Sequence, residues 1–523
     1  MSKIKRILSQ HGAILLIMFL AACARLINLG GLPDGVYPDE AYNAYNTWSI
    51  MTAGIDSRGY HAPVYFVAWG SGMSVLYAYL ALPLFHIFGA SIAVFRLPQA
   101  LISLGSVFAF YILGRELFDR KTGYFMAFAL AINPWSIMTA RFGLDCSLAP
   151  GMILFAMTFF VLGLKKGPSY FPVSAFFMAA SLYSYVLTWI ALPILLLMIL
   201  LLYWKRIPRR PVTFLSAALL VIAAIPLLLF LAVNLDLVPE IATPFFSIPK
   251  LKAFRGEELD LRHFFQNIRT AADIILRQYD GESQIASPLV GAYYKFTTPF
   301  FLLGILFHVI DLIKNHKRGD NDPQYILLLW LISAAFVALI QQRVTMIHMN
   351  LMHIPLIFYS VYGIIRSARC VKSRLLIPAC LLFFGISFVW FAWDHCTSSN
   401  TYFFDDTATE ALEEAKNLAG SGQTITIVGY PTIQSGVWMW LEKPLPTDFC
   451  ANVTYIDDPA WGQIGSYGQF RFVYSIDQIT GEDIYILQKN AANLELLTDM
   501  GLTVIPLNEH YLIACPGASP AAR

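Results

Sequence analysis

Charged residues are scarce in this chain of 523 residues. Asp, Glu, Lys and Arg make up 13% of it and hydrophobic residues 57%, whereas soluble domains usually carry about 25% charged residues. A single core could not bury so much apolar surface, so lipid must be the solvent for most of the chain. The composition therefore excludes a soluble globular protein and indicates an integral membrane protein.

Three other features are missing from the sequence. The seven cysteines have neither the spacing of metal ligands nor that of a disulfide framework. No basic run suits nucleic acid, so we expect no nucleic-acid partner. No internal repeat is visible either, which gives no support to a transporter built from inverted repeats.

Long apolar runs are what the sequence does have. A membrane-spanning helix needs about 20 apolar residues. Runs of roughly this length predict eleven transmembrane helices, near residues 12–29, 97–116, 122–140, 146–164, 170–187, 189–204, 212–233, 291–313, 324–341, 346–366 and 375–393. A further stretch, 74–90, is shorter and contains Pro83 and His86, so we interpret it as a re-entrant or interfacial helix.

Lysine and arginine are unevenly distributed between the predicted loops. If the N-terminus is cytoplasmic, six cytoplasmic segments hold 19 of the 36 basic residues, and the short outer connections hold six. Cytoplasmic loops carry the positive excess. The sequence therefore predicts a multi-pass plasma-membrane protein with a cytoplasmic N-terminus and an extracytoplasmic C-terminus. A signal peptide ending at Leu20-Ala21-Ala22-Cys23 is the alternative for the first span, but cleavage would remove a helix from the bundle.

The composition changes near residue 394. Residues 1–393 are predicted to form the transmembrane domain, and 394–523 a small extracytoplasmic α/β domain. A helical run at 408–418 is followed by four β-rich stretches, TITIVGY, FRFVYSI, DIYILQ and LTVIPL. This region carries no catalytic motif, and we expect the membrane bundle to fold without it.

Two adjacent carboxylates, Asp39 and Glu40, lie just after the first span in LPDGVYPDEAYNAYN. Pro38 suits the first turn of a helix, where acidic residues are also favoured. Neighbouring side chains on a helix point about 100° apart, so one carboxylate can face a cavity while the other anchors the fold. The structural alternative is an acidic helix N-terminus beside interfacial tyrosines.

A second charged cluster, Arg141 and Asp145, lies in NPWSIMTARFGLDCSLAP between the third and fourth spans. If this segment is helical, the two side chains could form an ion pair. Charged groups at membrane depth are costly and commonly mark a functional cavity. The pair could equally join two helix ends.

Two further segments offer binding residues. RGYHAPVYFVAWG contributes Arg58, Tyr60 and His61, followed by aromatic residues that could stack on a sugar or form a membrane belt. QQRVTMIHMN contributes Arg343. Its guanidinium could bind a phosphate bidentately or anchor the interface.

Taken in order, these motifs resemble the GT-C class of membrane glycosyltransferases. The Asp-Glu pair opens the first outer loop, the second span begins with FRLPQ and ends with GRELFDRK, and NPW…AR…LD follows the third. The arrangement is similar to the bacterial protein O-mannosyltransferase and aminoarabinose transferase branch. The resemblance covers residues 10–200 well and the later spans by topology.

The resemblance implies a GT-C-like helical bundle with juxtamembrane helices in the first outer loop. It further implies transfer of a sugar from a polyprenyl-phosphate donor to an extracytoplasmic lipid-linked glycan, cell-wall polymer or protein, with inversion. On the matching positions, Asp39 would be the catalytic carboxylate, Glu40 its partner, and Asp145 a residue lining the same cavity.

Donor recognition departs from that pattern. Aminoarabinose transferases place a lysine near the donor phosphate where this chain has His61-Ala62-Pro63. The phosphate ligand is therefore expected among Arg58, Arg141 and Arg343. Some relatives use a divalent metal, which Asp39, Glu40 and Asp145 would suit, but no cofactor is required by the sequence.

Two other functions are compatible with the sequence. One is a transporter or flippase for lipid-linked sugars, although such proteins usually place ionisable residues near the membrane midplane, whereas these lie at span ends. The other is a polymerase or ligase of lipid-linked glycans, which also acts outside the cytoplasm.

Overall fold

The computed structural model describes residues 3–254, 259–281, 285–317, 323–397, 407–420, 422–429 and 431–517. Up to residue 397 the chain is mainly helical, with two short hairpins, β1–β2 (Phe66–Ala68, Ser71–Met73) and β3–β4 (Ile241–Ala242, Ser247–Ile248). The helices are α1 (Lys3–Leu26), α2 (Pro38–Ala53), α3 (Leu76–Phe88), α4 (Ile92–Leu117), α5 (Arg120–Ala131), α6 (Pro134–Ala140), α7 (Leu148–Lys166), α8 (Phe171–Leu182), α9 (Thr188–Tyr203), α10 (Pro211–Asn234), α11 (Phe264–Arg277), α12 (Thr298–Lys317), α13 (Tyr325–Leu339), α14 (His353–Cys370) and α15 (Leu376–Thr397).

Six helical segments in the described part of the chain are long and apolar enough to cross a membrane: Ile92–Leu117, Asp145–Lys166, Pro211–Asn234, Lys295–Asn315, Asn350–Cys370 and Leu376–Thr397. Three shorter apolar helices, His11–Leu26, Thr188–Tyr203 and Tyr325–Leu339, coincide with further predicted spans. A multi-pass membrane protein is thus confirmed, whereas the count of eleven spans is not. The stretch read as re-entrant forms α3, only 13 residues long.

Two predicted spans are interrupted in the structure. Residues 122–140 divide into α5 and α6 at Asn133, whose side chain accepts a hydrogen bond from the Ser136 amide at 3.0 Å. Pro134 then occupies the first position of α6, where its missing N–H costs nothing. In the predicted span 170–187, α8 has 12 residues, a length of about 18 Å. Neither segment is one continuous spanning helix.

A close helix crossing joins α12 and α14 through two glycines. A Cβ atom added to Gly304 would overlap the carbonyl of Tyr359, and one added to Gly363 would overlap the carbonyl of Phe300. Such close backbone approach is typical of small residues between membrane helices.

The chain after residue 406 forms a mixed sheet with helices. Its strands are β5 (Ile425–Val428), β6 (Thr454–Tyr455), β7 (Ile464–Tyr467), β8 (Phe470–Val473), β9 (Ile484–Gln488), β10 (Leu502–Pro506) and β11 (Tyr511–Pro516), in the order β10-β11-β9-β5-β8-β7-β6. β5 runs parallel to β8 and β9. The helices are α16 (Ala408–Ala419), α17 (Pro431–Glu442), α18 (Pro446–Asn452) and α19 (Ala491–Asp499). The predicted helix is α16, and the four predicted β-rich stretches are β5, β8, β9 and β10.

This C-terminal region shares a hydrophobic core with α2 and α3. Tyr45 of α2 is fully buried, donates its hydroxyl hydrogen bond to the Pro444 carbonyl at 2.8 Å and packs edge-on against Phe449. The ring of Phe85 stacks on that of Trp440. The shared core disagrees with the expectation that the bundle folds without this region, because removing it would expose these rings.

Candidate active site at the start of helix α2

The first turn of α2 carries both predicted carboxylates. Tyr37 precedes the helix in an extended conformation, Pro38 is its first residue, and Asp39 and Glu40 follow. The Tyr37 amide donates a hydrogen bond to Glu40 Oε2 at 3.4 Å. The sequence therefore produces the acidic, proline-initiated helix start that was predicted.

Glu40 is fully buried and held from two directions. Arg96 of α4 binds it bidentately, with Nε 2.8 Å from Oε1 and Nη2 2.9 Å from Oε2. The Gly143 amide donates a third bond to Oε1 at 2.6 Å. A buried ion pair is stable only with such complete hydrogen bonding. Glu40 therefore anchors α2, while its neighbour Asp39 is half-buried.

Two buried arginines hold the segment between α1 and α2. Arg96 donates to the carbonyls of Leu29, Gly30, Pro33 and Gly35. Arg141 donates to those of Ala24, Ile27, Asn28 and Leu32. Because arginine offers five N–H donors in a rigid fork, each side chain satisfies several carbonyls at once. These bonds fix the segment before α2, and therefore the position at which α2 begins.

Arg141 does not make the predicted helical ion pair with Asp145. α6 ends at Ala140, so the helical spacing that would align residues 141 and 145 is absent. Burial, together with the nearby Arg96 charge, lowers the pKa of Arg141 to about 10, which leaves it cationic at neutral pH. Its bonds to backbone carbonyls favour a structural role over phosphate binding.

Asp145 lies two residues after Gly143, whose amide bonds Glu40. It begins a short 3-10 turn, Asp145–Ser147, and accepts hydrogen bonds from the amides of Ser74 at 2.9 Å and Cys146 at 2.7 Å. The Glu40–Gly143 bond therefore joins the segments of the two predicted acidic clusters.

Arg58, Tyr60 and His61 lie beyond the other end of α2, a helix of 16 residues and about 24 Å. Arg58 Nη2 donates to the Pro459 carbonyl at 2.7 Å, and its guanidinium lies over the Tyr455 ring at 4.6 Å. The Tyr60 hydroxyl donates to Glu240 at 2.5 Å, and His61 Nδ1 is 3.2 Å from the Gly54 carbonyl oxygen. These contacts connect loops and the C-terminal sheet.

Arg343 differs from the other two candidate arginines. It lies in the turn after α13 and is exposed, and within the described ranges its guanidinium makes no hydrogen bond or ion pair. The same segment reaches the acidic cluster, because Asn350 donates to the Cys146 carbonyl at 2.8 Å. Of the three candidates, Arg343 has its donors available for a ligand.

Two buried arginines were not assigned a role from the sequence. Arg96 was visible in FRLPQ, and Arg25 ends the first span. Arg25 is fully buried and donates to the Leu130 and Ala131 carbonyls and to the Ser103 and Ser136 hydroxyls. An arginine in an apolar helix must find such partners. The position of Arg25 at the end of an apolar run could therefore have indicated buried polar contacts.

A metal is not indicated by the side-chain arrangement. Across the described ranges, no three His, Cys, Asp or Glu side chains form a group that could hold an ion. The divalent metal considered from the sequence therefore gains no support.

Part of the sequence and the fold are similar to those of known proteins. The family model for dolichyl-phosphate-mannose-protein mannosyltransferase matches residues 72–230. The crystal structure of ArnT from Cupriavidus metallidurans in the apo state superposes with a TM-score of 0.63 and 12% identity, covering 98% of this chain and 100% of that one. ArnT is a GT-C glycosyltransferase. The chain has a GT-C fold.

Other solved GT-C structures agree. ArnT bound to undecaprenyl phosphate gives a TM-score of 0.57 at 12% identity, over 98% of this chain and 99% of that one. AglB from Archaeoglobus fulgidus, in complex with an inhibitory peptide and a dolichol-phosphate, gives 0.51 at 13% identity, over 85% and 64%. No curated protein sequence matches. The GT-C resemblance seen in the sequence is confirmed at the level of the fold.

Proposed function

We propose that this protein transfers a sugar from a polyprenyl-phosphate-linked donor to an acceptor outside the cytoplasm, with inversion at the anomeric carbon. The main support for the proposal is the contrast between the two carboxylates at the start of α2. Glu40 is fully buried and fixed by Arg96 and Gly143, whereas the adjacent Asp39 is only half-buried, so we assign the chemistry to Asp39. The lipid phosphates in the ArnT and AglB structures support this class of donor.

The reaction is a single displacement. The acceptor hydroxyl oxygen attacks the anomeric carbon while the bond from that carbon to the phosphate oxygen breaks. Asp39 takes the hydroxyl proton as general base, and polyprenyl phosphate leaves with the bonding electrons. One displacement inverts the configuration. The acceptor classes that fit are a lipid-linked glycan, a cell-wall polymer or a protein.

The departing phosphate gains negative charge, so a nearby cation would lower the barrier. Arg343 is proposed for this role because its guanidinium is exposed and its segment is tied to the Asp145 turn through Asn350. Asp145 is proposed to line the cavity that holds the reacting groups. Arg58, Tyr60 and His61 are proposed only as contacts for the acceptor side, since they lie towards the C-terminal sheet.

The central test replaces Asp39 by Asn in the full-length protein. We expect transfer from a polyprenyl-phosphate sugar to fall by roughly 10²–10⁴ with little change in melting temperature, because the amide keeps the shape but cannot take the proton. Asp34→Asn, an exposed carboxylate in the same loop, is the matched control and should stay active. Glu40→Gln is unsuitable as a control, because it would leave Arg96 buried without its anionic partner.

Full turnover by Asp39→Asn would contradict the assignment of Asp39 as general base and would favour the flippase function. The same assay tests the phosphate ligand. Arg343→Gln should weaken donor binding and slow release of polyprenyl phosphate, whereas Arg58→Gln should leave donor binding unchanged because its guanidinium packs on Tyr455. The reverse ranking would contradict the assignment of Arg343.

A further inference from the structure

Two adjoining cavities lie far from the candidate active site. One, the apolar cavity, has a volume of about 580 Å³ and lies between α1, α5, α14 and α15, with Ile17, Phe125, Phe128, Ile377 and Leu381 in its wall. The other, the polar cavity, has about 400 Å³ and is lined by Asp311, Lys314, Gln324, Tyr362 and Arg366. They share Asp119, Thr122, Ile365 and Arg369.

The position of these cavities follows from α4. Arg96, which binds Glu40, is near the start of this helix, and Asp119 lies two residues after its last residue, Leu117. The axial distance from Arg96 to Leu117 is about 30 Å, comparable to the thickness of the hydrocarbon core. The cavities are therefore at the opposite end of the bundle, beside the basic segments that the sequence predicts to be cytoplasmic.

Charged side chains that bond one another line the polar cavity. Arg366 Nη2 donates to Asp311 at 2.9 Å, and the Tyr362 hydroxyl donates to the other Asp311 oxygen at 2.6 Å. Arg366 Nε is buried and has no hydrogen-bond partner among the described residues. Lys314 in this wall, Lys121 in the wall of the apolar cavity and Arg369 in both are exposed. The four cations outnumber the carboxylates of Asp119 and Asp311.

We propose that the two cavities together bind an anionic phospholipid, independently of the transferase reaction. The phosphate diester would enter the polar cavity against Arg366, Arg369 and Lys314, and one acyl chain would fill the apolar cavity. A soluble anion would leave the apolar half unused, whereas an amphiphile matches both. Both volumes fall within the roughly 300–1,000 Å³ of ligand pockets, and basic pockets between membrane helices on the cytoplasmic side commonly take anionic headgroups.

The test uses the full-length protein in detergent with lipid added, and counts retained lipid by native mass spectrometry. We expect phosphatidylglycerol to be retained in preference to phosphatidylcholine. Lys314→Gln and Arg369→Gln should each weaken phosphatidylglycerol retention about fivefold, without lowering the melting temperature in lipid-free detergent. Both residues are exposed, so neither change should disturb the packing of the helices. Arg366 is not mutated, because it is paired with Asp311.

Arg209→Gln is the matched control. Arg209 belongs to another basic segment of the same predicted side and stacks on Trp204, so its loss should leave retention unchanged. Equal retention of phosphatidylcholine, or variants that behave as the control does, would overturn the proposal. So would displacement of phosphatidylglycerol by millimolar glycerol 3-phosphate, which would make the ligand a soluble phosphate.

Discussion

At the scale of single residues, Asp56 makes an unusual set of contacts. It lies in the turn after α2, nearly completely buried, and its Oδ1 accepts hydrogen bonds from the amides of Arg58 at 2.8 Å and Tyr60 at 2.9 Å. Its Oδ2 is buried without a hydrogen-bond partner in the described part of the chain. Burial raises the pKa of Asp56 from 3.8 to about 6.

This shift makes stability depend on pH. The folded protein holds the proton more tightly than the unfolded chain, so the contribution of Asp56 to stability falls as pH rises from about 4 to about 6. Above that range the ionised group costs on the order of 3 kcal/mol. Asp56→Asn keeps the accepting oxygen and removes the charge. We expect this variant to melt at a higher temperature than wild type at pH 8 and at a similar temperature at pH 4.

Thermal unfolding in detergent across this pH range measures the effect. Asp34→Asn, which changes an exposed carboxylate, should give a profile parallel to wild type. If Asp56→Asn also ran parallel, the buried carboxyl would not be the group that titrates.

The sequence predicted where the acidic residues lie but not what holds them. Asp39, Glu40 and Asp145 could be selected by position and motif, and the Glu40–Gly143 bond does join their segments. Apart from the Glu40 carboxylate, the partners of Arg96 and Arg141 are backbone carbonyls of residues 24–35. A carbonyl is the same in every residue, so no pattern of side chains could reveal these bonds.

At the scale of elements, hydropathy located apolar segments better than helix ends. The run 122–140 is apolar on average, so mean hydropathy gives no sign of the break at Asn133-Pro134. The break is local, because the Asn133 side-chain cap and Pro134 start a new helix. The C-terminal strands were predictable because alternating β-branched residues give a local signal, whereas their pairing order depends on contacts distant in sequence.

The α12–α14 crossing offers a test of one element pair. Gly363→Ala would drive its Cβ into the Phe300 carbonyl, which can move only with the helix backbone. Overpacking typically costs about 1–3 kcal/mol, so we expect a clear fall in melting temperature. Gly385→Ala is the control, since an added Cβ there meets nothing within 4 Å. Equal melting of both variants would show that the helices separate easily.

At the scale of the whole molecule, the shared core predicts that bundle and C-terminal region stabilise one another. A chain ending at Thr397 should aggregate in detergent where the intact protein does not, because Tyr45 and Phe85 lose their covering partners. In the intact chain, Trp440→Ala should lower the melting temperature, since this side chain is buried and large-to-small changes there cost about 3–5 kcal/mol. The exposed Leu445→Ala should not. A well-behaved truncated bundle would contradict this.

Orientation is the second prediction at this scale. With 19 of 36 basic residues in six segments that are predicted to share one side, we expect a reporter fused to the C-terminus to be active only outside the cytoplasm. Activity inside the cytoplasm would mean that the number of spans is wrong. The first candidate for an additional span would be α3, an apolar helix of 13 residues.

The buried arginines also constrain how the protein enters the membrane. An arginine in an apolar helix needs hydrogen-bond partners, and Arg25 and Arg96 are both fully buried here. Apart from the Ala21 carbonyl of its own helix, the partners of Arg25 lie in α4, α5 and α6, which are synthesised later. The partners of Arg96, by contrast, precede it in the chain. We therefore expect α1 to reach its final position only after α6 has been synthesised, whereas α4 can be fixed as soon as it emerges.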